Sequence, residues 1–159
     1  MTDVTHPTFR DLAPSDVDAL LARNHVGRIA YSFHDRVDIE PISYVHADGV
    51  VYFRTALGSK LTTLAHAPWV AFEVDEVSGP FDWRSVVTHG TVYVLEDAGS
   101  PVARASYRRA VEHLRSLVPH ALDPDDPTPE RTIVLRMQPE SVTGREARSS
   151  ARQTGGDRP

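Results

Sequence analysis

From Gly27 to Ala56 three short runs of alternating apolar and polar residues follow one another with almost nothing between them: "GRIAYSF" (Gly27–Phe33), "VDIEPISYV" (Val37–Val45) and "VVYFRTA" (Val50–Ala56). Alternation of period two puts every second side chain on one face, the pattern of a half-buried strand. The first gap holds His34, Asp35 and Arg36, and the second Ala47, Asp48 and Gly49, where "DG" is a hairpin signal. Neither gap has room for the crossover helix that parallel neighbours require. The three runs are therefore expected to form an antiparallel meander, which rules against a doubly wound parallel sheet. Pro41 lies inside the second run. A proline there cannot donate to the ladder, so the strand should be an edge at that point, or bulged near a site.

The rest of the chain adds helices and three more strands. Pro14, Ser15 and Asp18 resemble the start of a helix with a capping box, and the short helix should run to about Asn24. Ser59 reads as the N-cap of a brief helix carrying Leu61 and Leu64, which Pro68 stops. "WVAFEVDEV" (Trp69–Val77) puts Val70, Phe72 and Val74 on one strand face and Ala71, Glu73 and Asp75 on the other. The segment Trp83–Glu96 is too long for a flat strand, and Gly90 marks the expected bend. Bends of this kind close barrels. Ser100 and Pro101 open the longest helix, with Tyr107, Val111, Leu114 and Val118 at helical spacing. Asp123–Glu130 should be a loop and Thr132–Gln138 a last strand. Six strands interleaved with helices predict an α+β barrel. The expected organisation is one domain over residues 13–145, a flexible N-terminus at 1–12, and a disordered tail at 146–159 that lacks apolar anchors.

Composition narrows the chemistry. A formal charge of −5 opposes phosphate-backbone binding, so nucleic acid is not an expected partner. No apolar run is long enough for a membrane span, and no basic leader precedes an apolar stretch, which points to a cytoplasmic protein with no membrane partner. The absence of cysteine removes disulfides, thiolate nucleophiles and cysteine-bound metals. The eight histidines show no ligand spacing; His113 and His120 are two helical turns apart, so no metal site is expected. His89, beside the corner at Gly90, reads either as a donor or acid near a ligand or as an ordinary hydrogen-bonded strand histidine. Glu73 and Asp75 share a strand face, as an acid/base pair, as a solvated face, or as partners of an arginine from a neighbouring subunit. Trp69, Phe72 and Trp83 read as core or interface aromatics. No catalytic acid or base is assigned.

The 17 lysines and arginines comprise 16 arginines and one lysine, Lys60, in "TALGSKL". A glycine, a hydroxyl and a cation at a helix start directly after a strand meet the requirements of an anion site. Free N–H groups and the helix dipole favour negative charge there, with Thr55, Ser59 and Lys60 as side-chain donors and Arg54 as a second cation. The alternative is a simple cap beside a solvated lysine. It is not a Walker loop, because the glycine spacing is wrong.

The order of "GRIAYS", "IEPISYVHADGVVYFRTALGSKLTTL", "PWVAFEVDEV", "WRSVVTHGTVYVL" and "IVLRMQPESVTGR" resembles the pyridoxamine 5′-phosphate oxidase-like proteins, in particular the nitroimidazole-resistance type, over about Ala13 to Arg145. That resemblance implies a six-stranded antiparallel split β-barrel with flanking helices, a homodimer, and FMN at the subunit interface. It implies that Arg54, Thr55, Ser59 and Lys60 hold the phosphate, and that Glu40, Pro41, Ile42 and Tyr44 lie near the ring system. Trp83, Ser85 and Val86 match a region that the partner chain contributes, although Arg84 departs from the family's simpler "GWSV" spelling. The implied activity is a small oxidoreductase passing electrons from NAD(P)H through the flavin to a small organic acceptor, conceivably a nitro compound. Two alternatives keep the fold: a reductase using the deazaflavin F-four-twenty, and a non-catalytic flavin or haem binder.

Overall fold

The computed structural model describes residues 6–149, with the side chains of residues 59–62 outside the described set. Strands β2 (Val26–Phe33) and β3 (Arg36–Ala47) turn through His34 and Asp35, whose φ angles are 48° and 61°. Strand β4 (Val50–Thr55) follows through Asp48 and Gly49, at 55° and 73°. Two successive residues of positive φ are the backbone of a type I′ turn, which matches the twist of the strands it joins. Residues 36–43 of β3 pair with β2 and residues 44–47 with β4. The first part of β3 thus has no β4 partner, and Pro41 sits in that open edge, as its chemistry requires.

Strand β5 (Trp69–Gly79) pairs with β2, and β6 (Asp82–Leu95) with β5. Strand β7 (Ile133–Arg148) pairs with both β4 and β6 and closes the ring β7-β4-β3-β2-β5-β6. The closed ring has the six strands expected, but the sheet has seven. Strand β1 (Thr8–Asp11) adds to the far end of β7, Thr8 opposite Arg148 and Asp11 opposite Arg145. Residues 8–11 are therefore not a flexible leader, and Glu146–Arg148 are not part of a disordered tail. The remainder of both expected termini, 1–5 and 150–159, lies outside the described residues.

The last strand runs ten residues beyond the expected end at Gln138 because its two apparent breakers are accommodated. The register shifts between His89 and Gly90, so that Gly90 faces Pro139 while His89 faces Ser141. A Cβ on Gly90 would lie 2.1 Å from the Gln138 carbonyl oxygen, so only glycine lets the strands cross the irregularity. Gly144 is hemmed in by Leu12 and Val17, with a built Cβ 2.6 Å from Val17.

Helix α1 (Pro14–Arg23) begins with Pro14 at its first position and Ala13 at the N-cap, without a side-chain cap; the predicted Ser15 box does not form. Its buried Val17, Leu20 and Leu21 join Ile29, Tyr44, Phe53, Phe72, Val86, Leu135 and Met137 in the main core. Each such fully buried side chain contributes about 1.5–3 kcal/mol. Helix α2 (Ser59–His66) has Gly58, not Ser59, at its N-cap, and adds Leu64 to the same core. Helix α3 (Pro101–Leu117) is capped as expected, Ser100 Oγ accepting from the Ala103 N–H at 3.2 Å. It lays Ala110, Val111 and Leu114 on Val50, Tyr52 and Val134 in a second cluster. Among the described residues no helix is long and apolar enough to cross a membrane.

Candidate functional site

At the open edge of β3 the sheet leaves a cavity of about 470 Å³. Pro41, Ile42 and Ser43 form one wall, and Arg54, Thr55 and Ala56, at the end of β4, form another. Val26, Glu130 and Arg131 complete the lining. The volume falls within the range usual for cofactor pockets, and Ser43, Thr55, Glu130 and the two arginines make the lining more polar than most. Pro41, Ile42, Arg54 and Thr55, singled out from sequence, are thus brought together by two strands that part at this point. The chain leaves β4 through Ala56–Gly58 into α2, whose first-turn N–H groups have no helical partners and receive no side-chain cap. The side chains of Ser59 and Lys60, the other expected phosphate ligands, lie outside the described residues.

Arg54 is not the free cation that the sequence suggested. It is 8% exposed and clamped: both terminal nitrogens donate to the Asp126 carboxylate, one of them also to Thr128 Oγ1 at 2.8 Å. Asp126 accepts in addition from the backbone N–H of Leu122 at 2.7 Å and of Thr128 at 2.9 Å. The Arg54 guanidinium, the largest cause, holds the Asp126 carboxyl well below the usual range against the opposing effect of burial. A permanently ionised pair at the cavity wall contributes no net charge. The cation that lines the cavity with an exposed guanidinium is Arg131, 45% exposed, with Glu130 only at 4.0 Å. Sequence reasoning missed Arg131 and Asp126 because both lie in or beside a loop far along the chain, where spacing gives no sign of contact.

The remaining expected residues separate into two groups. Glu40 accepts a hydrogen bond from the Tyr31 hydroxyl at 2.7 Å. Burial first, and the neighbouring Glu40 second, push Tyr31 up to about 12. Tyr44 turns inward: it is fully buried, meets Phe72 edge-on at 5.0 Å, and donates to the Leu21 carbonyl at 2.7 Å. Its side chain is a core group rather than a ligand. Val86 is likewise fully buried in the core. Trp83 packs on Phe9 at 6.3 Å between ring centroids and lines a different concavity, with Arg84, Glu146 and Arg148. Ser85 donates to Glu73 at 3.2 Å. Within one chain, Trp83, Ser85 and Val86 do not reach the cavity at Pro41.

Other candidates do not line this cavity. Arg28 bridges Glu73 at 3.0 Å and Asp75 at 2.9 Å, so those two carboxylates share an arginine of their own chain instead of acting as an acid/base pair. His89 is exposed and stacks on Trp69 at 6.5 Å. Glu146 is 1% exposed and is met by Arg10, Arg84 at 3.0 Å and Arg148 at 3.1 Å. Burial pushes its carboxyl up, but Arg10 and Arg148 outweigh that and hold it low. In the loop after α3, His120, Asp123 and Asp125 bring ligand atoms within 4.8 Å of one another on an exposed surface, a grouping common without any ion.

The sequence matches the pyridoxamine 5′-phosphate oxidase family over residues 13–146, and the chain belongs to that family. No curated protein sequence matches it. Among solved structures it is similar to an FAD-binding protein from Mesorhizobium loti, at 24% identity and a TM-score of 0.69, covering 90% of this chain and 99% of that one. It is similar also to the FAD binding protein from Mycobacterium smegmatis, at 25% identity and a TM-score of 0.59 over 89% and 100% of the two chains. A Bacteroides thetaiotaomicron protein provisionally assigned to 5-nitroimidazole antibiotic resistance shares the fold at 13% identity, with a TM-score of 0.66 over 89% of each chain.

Proposed function

We propose that the protein is a homodimeric, cytoplasmic flavoprotein that holds FMN in the cavity between β3 and β4 and passes electrons from NAD(P)H to a small organic acceptor. The observation that carries this reading is the meeting of Pro41 and Ile42 with Thr55 and Arg131 around one cavity of about 470 Å³, where the chain leaves β4 towards α2. The donor set suits a flavin phosphate. The N–H groups at the start of α2 fix an anion's orientation, Thr55 offers a hydroxyl, and Arg131 and Lys60 supply the charge. The unpaired edge of β3 leaves the backbone groups of Ser43 for a planar ring's polar rim, and Pro41 removes one N–H that would otherwise need a partner there. A bound flavin would supply the hydride chemistry itself, while this chain binds, orients and excludes water.

The dimer is supported by the outer face of β3, β2 and β5. Val37, Ile39, Val26 and Trp69 are between 51% and 74% exposed, a concentration of hydrocarbon in water that a monomer rarely carries. Trp83 and Ser85, remote from the cavity of their own chain, would then serve the partner's. FAD is a second reading, favoured by the FAD binding protein from Mycobacterium smegmatis, whose whole length this chain matches. The purified protein tests all of this together. A yellow preparation that releases FMN on denaturation, elutes as a dimer and oxidises NAD(P)H with a nitro or quinone acceptor supports the proposal. FAD on release selects the second reading, a Soret band or uptake of F-four-twenty alone contradicts both, and a yellow dimer with no turnover contradicts the enzymatic part.

A further inference from the structure

A second cavity, of about 330 Å³, opens near the opposite end of β3 and β4 and shares no lining residue with the first. Helix α1 covers it with Val17 and Leu21, and Val51 and Val142 face it from β4 and β7. Hydrocarbon dominates this wall. Three polar side chains interrupt it, Thr88, His46 and Asp18. Thr88 on β6 is 1% exposed, and its Oγ1 has no hydrogen-bond partner. His46 on β3 also lines the space, and burial lowers its pKa, which keeps the imidazole neutral, although the Asp18 carboxylate opposes that shift.

A buried hydroxyl without a partner is uncommon in folded proteins, and a ligand or water is the usual explanation. The cavity also defines what would suit it. Among the described residues no lysine or arginine lines it, and the charged group that does, Asp18, repels anions. Asp18 is exposed and keeps its water, and an ammonium taken in as far as Thr88 would lose its own against hydrocarbon, which is costly. We propose that this cavity binds a neutral, mainly hydrocarbon molecule of one- or two-ring size through a single hydroxyl or carbonyl group that hydrogen-bonds to Thr88 Oγ1. The site is independent of flavin binding.

The test titrates the full-length protein, with Leu and Val methyl groups labelled for NMR, with phenol and with toluene, which has nearly the same shape but no polar group. Saturable shifts at the methyls of Val17, Leu21, Val51 and Val142 are expected for both. Thr88→Val, which keeps the shape and removes the hydroxyl, should weaken phenol relative to toluene by about fivefold, the weight of one neutral hydrogen bond. Thr88→Ser should keep the wild-type ratio, which separates loss of the hydroxyl from a loosened barrel. Val142 is 44% exposed, so Val142→Phe can be accommodated and should block both molecules. Absence of shifts at these four methyls, shifts that survive Val142→Phe, or a phenol-to-toluene ratio unchanged in Thr88→Val would each overturn the proposal.

Discussion

Replacing Tyr44 with phenylalanine separates a core residue from a ligand residue. Its hydroxyl donates at 2.7 Å to the carbonyl of Leu21, in the last turn of α1, where carbonyls have no helical partner. The neighbouring Leu20 carbonyl is taken by Asn24 Nδ2 at 2.9 Å, so these two side chains together cap the helix end. Tyr44 is fully buried, and burial pushes its phenol far above the ordinary range, so the group is a neutral donor at any physiological pH. Tyr44→Phe leaves the ring against Phe72 and strands one buried acceptor, at a cost of about 1–3 kcal/mol. For a domain of this size about 2 kcal/mol lowers Tm by about 4–8 °C. Thermal and urea unfolding measure that loss, and a flavin fluorescence titration of the same variant should match wild type within experimental error. A variant with unchanged Tm and weakened flavin binding would refute the placement of Tyr44 and return it to the cofactor site.

Three further outcomes follow from the same geometry. Gly90→Ala drives a Cβ into the Gln138 carbonyl and should cost about 1–3 kcal/mol or more in urea unfolding, whereas Gly58→Ala, with open space around it, should unfold like wild type. Arg23, through hydrogen bonds of 2.6 and 2.7 Å, lowers the Glu76 carboxyl to about 2 from an ordinary value near 4.5, despite some opposing burial. Because the folded value is depressed, Glu76 contributes stability that is complete above pH about 4.5 and lost as pH falls through about 2; Glu76→Gln should flatten that part of the urea-midpoint profile. Lys60→Ala should weaken FMN binding severalfold or more with unchanged unfolding, since a charge-assisted contact contributes about 1.5–3 kcal/mol, and an unchanged titration would count against the phosphate placement.

The meander was legible because its turns are written in local chemistry: positive φ at Asp48 and Gly49 is what "DG" encodes, and His34–Asp35 make the same turn. The closing strand was half legible. Pro139 and Gly144 are residue types that commonly interrupt a strand, and only the opposing Gly90 and the packed Leu12 and Val17 show why a strand passes through both. Strand β1 could not be read at all, since four exposed residues have no pattern of their own and gain their order from pairing with β7. At the site, Thr55 was read from the glycine, hydroxyl and lysine at a helix start, whereas Pro41 and Ile42 entered through the resemblance. Arg54 lines the cavity but is paired with Asp126, which lies 72 residues away and is linked to it by no periodicity. Tyr44 alternates onto the inner face of β3, a consequence of register that fixes direction only once the pairing with β4 is known.

The claim that the start of α2 grips a phosphate is tested most directly by comparing FMN with riboflavin, which has the same ring system but no phosphate, in equilibrium fluorescence titrations of wild type and Lys60→Ala. Wild type should bind FMN at least about tenfold more tightly than riboflavin, and most of that preference should disappear in Lys60→Ala. Equal affinity for the two in wild type, or a preference that survives the loss of Lys60 intact, would contradict the account.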